Sequence, residues 1–200
     1  MFFKGSNLSE DCELLLKELE RLDFYRGTER RSGQFKGAKC KKGGGSMLYG
    51  TTWKGYLKYD ENGEKVYRTK APEKGLYLTK CRDLYPELKD IFIEFTKKYI
   101  PEFKWTQVQL NKNFQSPPHF DAANIGESYI IGLGDYTKGR LFMEVESSFT
   151  DEPMIRKENI KNRLFCFNGS KHKHWTEDYE GNRYSVVFFN NNKMKKISES

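Results

Sequence analysis

Two hundred residues with a net charge of +7, 36% hydrophobic, 32% charged and 15% aromatic, suit a soluble globular chain able to close a real core. No window approaches the ~18 apolar residues of a membrane span, and Met1-Phe2-Phe3-Lys4-Gly5 is too short an apolar run for a secretory signal. The four cysteines (Cys12, Cys40, Cys81, Cys166) form no C-x-x-C pair, which argues against a zinc knuckle or disulfide framework and for reduced thiols in a cytoplasmic or nuclear compartment.

Ser9 is a candidate N-cap, with Glu10 and Asp11 in the first turn where the helix dipole favours acids. Leu15, Leu19 and Leu22 then recur at helical spacing, predicting an amphipathic helix ending near Asp23. From Arg26 to Gly45 the chain reads RGTERRSGQFKGAKCKKGGG. Its seven cations against Glu29 give a local charge of +6 within the total of +7. Rich in glycine and without periodicity, this segment is expected to be a mobile loop. It is either a solvated loop or, over Arg26–Lys42, a segment that contacts the phosphates of DNA or RNA. It lacks the G-x-x-x-x-G-K-[ST] order of a P-loop.

Tyr56-Leu57-Lys58-Tyr59 and Lys65-Val66-Tyr67-Arg68 flank Asn62-Gly63, a strong hairpin signal. A second helix is predicted between Pro86 and Pro101, with Leu88, Ile91, Phe92, Phe95 and Tyr99 on its apolar face. Short strands follow at 105–111, 128–133, 140–145, 163–167 and 183–189, the pattern of an all-β barrel or jelly roll. The expected organisation is one domain over 1–200. Helices, basic loop and hairpin occupy 1–103, the strand-rich core 104–190, and a polar tail 191–200.

The chemistry-bearing residues gather in this second half. His119-Phe120-Asp121 follows Pro117 and Pro118, which favour extended backbone, so His119 and Asp121 are expected on one face and Phe120 on the other, in the barrel wall. A nitrogen and an oxygen ligand on one face are two thirds of a 2-His-1-carboxylate iron site. The remaining histidines of the three are His172 and His174, either of which can return to His119 if the strands fold back. Arg183 and Ser185 share a face of the last strand, where a guanidinium fork and a hydroxyl can grip a carboxylate. Trp53, Trp105 and Trp175 are expected chiefly in packing roles, with base stacking as the functional alternative.

His-x-Asp, a distal His and Arg-x-Ser nine residues later resemble the iron(II)/2-oxoglutarate-dependent dioxygenases. More narrowly, HFDAANIGESYIIGLGDYTKGRLFME and FNGSKHKHWTEDYEGNRYSVVFF resemble a branch found in algae, protists and large viruses, akin to the TET/JBP oxidases of pyrimidine methyl groups. The resemblance spans 105–190. It implies an α+β chain, with a double-stranded β-helix (jelly-roll) core and N-terminal helices packed on one sheet. It implies His119, Asp121 and His174 as Fe(II) ligands, His174 being preferred to His172 by its spacing to Arg183. His172 would then lie near the metal. Arg183 and Ser185 would bind the distal carboxylate of 2-oxoglutarate, Asn111 would add a cosubstrate hydrogen bond, O2 would be the oxidant's source, and ascorbate a reductant. Lys138-Gly139 departs from the Gly-Gly of relatives. The substrate implied is a methylated pyrimidine in nucleic acid, the site of action including a host cell for a viral protein. The alternatives are a prolyl or lysyl side chain of a protein, or a non-catalytic binding module, which the intact ligand pattern disfavours.

Overall fold

The computed structural model describes residues 8–24, 38–54, 56–59, 65–67, 75–147 and 152–191. Helices α1 (Leu8–Glu20), α2 (Lys80–Leu84) and α3 (Leu88–Tyr99) accompany thirteen strands among these residues. A six-stranded antiparallel sheet runs in the order β10 (Phe165–Phe167), β6 (Ser128–Leu133), β13 (Tyr184–Phe189), β5 (Gln107–Gln115), β1 (Lys39–Lys54) and β4 (Gly75–Leu78). A three-stranded antiparallel sheet places β8 (Leu141–Val145) between β11 (His174–Thr176) and β9 (Met154–Glu158). Two small pairs complete the set: β7 (Thr137–Lys138) with β12 (Tyr179–Glu180), and the expected hairpin of β2 (Tyr56–Tyr59) with β3 (Lys65–Tyr67). The hairpin's Asn62-Gly63 lies outside the described residues.

Successive side chains of a strand alternate faces, so each central strand of the large sheet can serve two layers. On one face Leu110, Ile131, Val186 and Phe188 meet Leu15 and Leu19 of α1 and Leu88, Phe92 and Phe95 of α3 in the main core. On the other, Ile130 and Val187 meet Leu141, Met143, Phe165 and Phe167 in a second cluster. The cleft that holds the candidate site opens beside that second cluster.

α1 starts at Leu8, so Ser9 stands inside the helix rather than capping it, and Arg21 and Leu22 close it with i→i−3 turns. α3 has the expected span and apolar face. The basic segment requires a larger correction. Residues 26–37 lie outside the described residues, but from Lys39 onward the chain is strand β1, paired with β5 across a register shift between Cys40 and Gly45. Glycine is needed there because a Cβ on Gly44 would fall 2.6 Å from the Lys112 carbonyl oxygen. Backbone hydrogen bonds to β5 supply what the side-chain pattern does not announce.

Asn113 adopts φ 50°, a left-handed conformation that Asn tolerates better than most residues. Its amide donates to the Arg183 carbonyl at 2.7 Å, and its Oδ1 accepts from the Arg183 amide at 2.9 Å. The effect is a one-residue phase change in β5. Gln107, Gln109 and Asn111 face the cleft before Asn113, whereas Phe114 and Ser116 do so after it.

Candidate metal and cosubstrate site

His174 opens β11, opposite Met143 of β8, and on its other side forms a two-way backbone bridge to His119. The His119 amide donates to the His174 carbonyl at 3.0 Å and the His174 amide to the His119 carbonyl at 2.9 Å. This bridge sets the ring centroids 4.3 Å apart. Both rings are oriented by a carbonyl two residues earlier: His119 Nδ1 sits 2.8 Å from the Pro117 oxygen, and His174 Nδ1 2.9 Å from the His172 oxygen. A carbonyl only accepts, so each Nδ1 carries the proton and each Nε2 presents its lone pair.

Those two Nε2 atoms face one carboxylate. His119 Nε2 is 3.5 Å from Asp121 Oδ1, and His174 Nε2 is 3.6 Å from Asp121 Oδ2. The three donor atoms all lie within 4.8 Å of one another, a separation a single cation can span. Burial tends to lower the pKa of His119, but the Asp121 hydrogen bond and the Pro117 carbonyl reverse this and leave it raised. Burial dominates at His174 and lowers its pKa, favouring the neutral imidazole that binds metal. His172 is outside the cluster and contributes its carbonyl to hold His174.

Three positioning features have no counterpart in the motif. Asn124 Nδ2 donates to Asp121 Oδ2 at 3.2 Å, and the Asn124 amide donates to the Asp121 carbonyl at 2.8 Å. The Gly169 carbonyl accepts from the Asp121 amide at 2.9 Å. A Cβ on Gly169 would come within 2.7 Å of Asp121 Oδ2 and 3.1 Å of His174 Cε1. In sequence, Asn168-Gly169 reads as an ordinary turn; the need for glycine emerges only when Asp121 folds over it. Asp-x-x-Asn over 121–124 was the available signal for the carboxylate's support.

Phe120 departs from its expected place. It is 49% exposed and lines the cleft instead of entering the barrel wall. The alternation fails because His119 is a single bridge followed at Asp121 by a turn, rather than part of a continuous strand.

Arg183 lies at the other end of the cleft and is 3% exposed. Its Nε donates to the Gly139 carbonyl at 3.1 Å, and its guanidinium carbon lies 5.4 Å from the Tyr136 ring and 5.7 Å from the Tyr179 ring. Burial pushes its pKa down, with Tyr136 and Tyr179 opposing. No acidic side chain forms an ion pair with Arg183 among the described residues. The Tyr136 hydroxyl is buried and interacts with the guanidinium. A buried cation lining a cleft suits a carboxylate. Lys138 does not intrude, since its side chain is 65% exposed and reaches outward to Glu180, while Gly139 (φ 62°) packs between Tyr136 and Tyr179.

Ser185 and Asn111 are paired across β13 and β5 and line the same cleft. Asn111 Nδ2 donates to Ser185 Oγ at 3.1 Å, Ser46 Oγ donates to Asn111 Oδ1 at 2.8 Å, and Gln109 Nε2 donates to Ser46 Oγ at 2.9 Å. This ladder crosses three strands, so β1 supports the site directly. The cleft is about 390 Å³, within the range of small-ligand pockets.

Other expectations separate. Trp105 packs on Phe92 and Phe188, and Trp175 stands edge-on to Phe142. The Trp53 side chain lies outside the described residues. Lys41, in the segment for which phosphate contact was one of two readings, donates to the Tyr179 carbonyl at 3.2 Å and lies 4.5 Å from that ring's centroid.

No protein-family model and no curated protein matches the chain. Among solved structures, the chain is similar to a prolyl hydroxylase from Trichoplax adhaerens in complex with a peptide fragment of the hypoxia-inducible factor oxygen degradation domain. The TM-score is 0.50 at 14% identity, over 100% of this chain and 84% of that one. It is also similar to a prolyl-4-hydroxylase from Pseudomonas putida (TM-score 0.43, 10% identity, 92% and 88% covered) and to NgTET1 in complex with 5mC DNA (TM-score 0.46, 13% identity, 99% and 78% covered). The likeness to the Trichoplax protein shows the fold: a mixed α/β architecture of mostly antiparallel sheets.

Proposed function

We propose that this chain is a single-domain Fe(II)/2-oxoglutarate-dependent dioxygenase that hydroxylates a C–H bond, its two facing sheets forming a double-stranded β-helix. The observation that carries this reading is the convergence of His119 Nε2, His174 Nε2 and an Asp121 carboxylate oxygen within 4.8 Å, with both Nδ1 atoms held by carbonyls. This donor set suits a non-haem iron that keeps open positions for cosubstrate and oxygen. At the far end, Arg183, without an acidic partner among the described residues, fits the distal carboxylate of 2-oxoglutarate. Ser185 and Asn111 offer polar contacts along the way. Iron and 2-oxoglutarate, held by these residues, would supply the oxidising chemistry. The chain's own residues orient these groups: Asn124 holds the Asp121 carboxylate, the Gly169 carbonyl holds the Asp121 backbone amide, and Phe120 stands at the exposed mouth where a substrate enters.

The substrate best supported is a methylated pyrimidine in nucleic acid, as the resemblance to the algal, protist and large-virus branch implies. The net charge of +7, six of it over 26–45, favours a polyanionic partner. Lys41, held on Tyr179, is not counted among the phosphate contacts in this reading. Succinate release measured across methylated DNA, methylated RNA and prolyl- or lysyl-containing peptides tests both levels. Succinate with methylated nucleic acid is expected. Release with peptides alone would reassign the substrate to protein, and none with any substrate would remove the enzyme reading.

A further inference from the structure

On the helix side of the large sheet, α2, α3, the end of β1 and the 101–106 connection enclose a second groove of about 600 Å³. Its composition is one-sided. Arg82, Lys89, Lys97 and Lys104 line it, and among the described residues no aspartate or glutamate does. Lys89, Ile93 and Lys97 recur every four residues on one stripe of α3, next to the stripe that Phe92 and Phe95 bury in the core. Asp90 and Glu94, the acids of α3, fall outside the lining.

The floor is aromatic and asks for no hydrogen bond. Trp105 Nε1 donates to Thr96 Oγ1 at 3.2 Å, and that hydroxyl donates to the Phe92 carbonyl at 2.8 Å. Phe92 and Phe188 support the indole from the core side. Half-buried Phe103 lies beside it in the groove and packs on Tyr129. A ligand here gains apolar or stacking contact from a rigid floor and charge neutralisation from the rim.

We propose that this groove docks single-stranded nucleic acid, its bases against Phe103 and Trp105 and its phosphates against Arg82, Lys89, Lys97 and Lys104. Every nucleotide carries a flat π face and a phosphate at a fixed offset, so any sequence matches an aromatic floor flanked by cations. A peptide supplies acid and aromatic groups only in particular sequences, and a fatty acid brings one charge to four cations. The assignment does not rest on the iron chemistry, because the groove shares no residue with the catalytic cleft.

The test is anisotropy of a labelled twelve-residue oligothymidylate, titrated at several salt concentrations into the full chain and into Lys89→Glu/Lys97→Glu. Both lysines are exposed, and an unchanged melting temperature confirms that the variant is folded. The expected result is at least about tenfold weaker binding in the variant, with its slope of log K against log salt shallower by roughly 0.7 per lost contact. Lys89→Arg/Lys97→Arg and His174→Ala keep the binding. No binding by the parent chain, equal binding by the charge-reversed variant, or loss of binding in His174→Ala alone would overturn the proposal. So would preferential competition by polyglutamate or palmitate over unlabelled oligonucleotide.

Discussion

At the scale of single residues, the site depends as much on what supports its ligands as on the ligands themselves. Gly169 illustrates this. A methyl group there would stand 2.7 Å from the Asp121 oxygen that faces His174, so Gly169→Ala must displace the carboxylate or the imidazole. Iron affinity measured by competition with a chelator should fall about 10- to 100-fold, the usual effect of disturbing a metal ligand's support. The fold should survive, because Gly169 lies in a turn. Arg183 makes a contrasting prediction. Its buried guanidinium is placed to receive a carboxylate, and breaking such a desolvated pair costs roughly 2–5 kcal/mol. Arg183→Ala should therefore raise the 2-oxoglutarate concentration needed for half-saturation at least about 30-fold, while leaving iron affinity near that of the parent chain. Equal losses of both would mean that Arg183 is structural.

At the scale of elements, legibility followed side-chain periodicity. α3, β6 and β13 were readable because their burial patterns repeat, with Leu88, Phe92, Phe95 and Tyr99 at helical spacing and hydrophobic runs in the strands. β1 was not, because its first half is lysine and glycine, and what makes it a strand is backbone pairing to β5. β11 was missed for a related reason: three residues are too few to display a period, and His174 is fixed by β8 and His119 instead. The order and spacing of His119, Asp121 and His174 were legible, and the fold brings their donor atoms within 4.8 Å of one another. Of the residues that position Asp121, Asn124 left only the Asp-x-x-Asn signal, and Gly169 left none, since it acts on a residue brought near by folding. Asn113 tests the element-level account. Its left-handed backbone and side chain pin β5 to the start of β13. Asn113→Ala should destabilise the chain by about 1–2 kcal/mol in urea unfolding, and Asn113→Gly by less, since glycine restores the backbone freedom. Equal losses would assign the effect to the side-chain bonds alone.

Across the whole molecule, hydrophobic packing joins the sheets and the helical layer, and a few charged contacts tie elements within each layer. Asp11 of α1 bonds Lys98 at 2.5 Å and also the Tyr99 hydroxyl, both at the end of α3. The hydrogen bonds from Lys98 and Tyr99 hold the Asp11 carboxyl below its ordinary value. Glu177 is likewise lowered by Arg140, which joins the β11–β12 connection to the start of β8. A depressed folded-state pKa stabilises the fold above the unfolded-state value and loses that contribution as pH falls through the folded one. Thermal stability should therefore decline as pH drops below the ordinary carboxylate range. Asp11→Asn should flatten part of that decline; an unchanged profile would show that the α1–α3 contact is not linked to folding. No described helix is long and apolar enough to cross a membrane.

The central claim, that His119, Asp121 and His174 form an iron centre beside a 2-oxoglutarate site, is tested most directly by anaerobic absorption spectroscopy. Fe(II) titrated into the protein with 2-oxoglutarate should produce a weak visible charge-transfer band that saturates at about one iron per chain, as one three-ligand site requires. The band should vanish in His174→Ala and persist in His172→Ala. Absence of a band in the parent chain, or its loss in His172→Ala with retention in His174→Ala, would contradict the account.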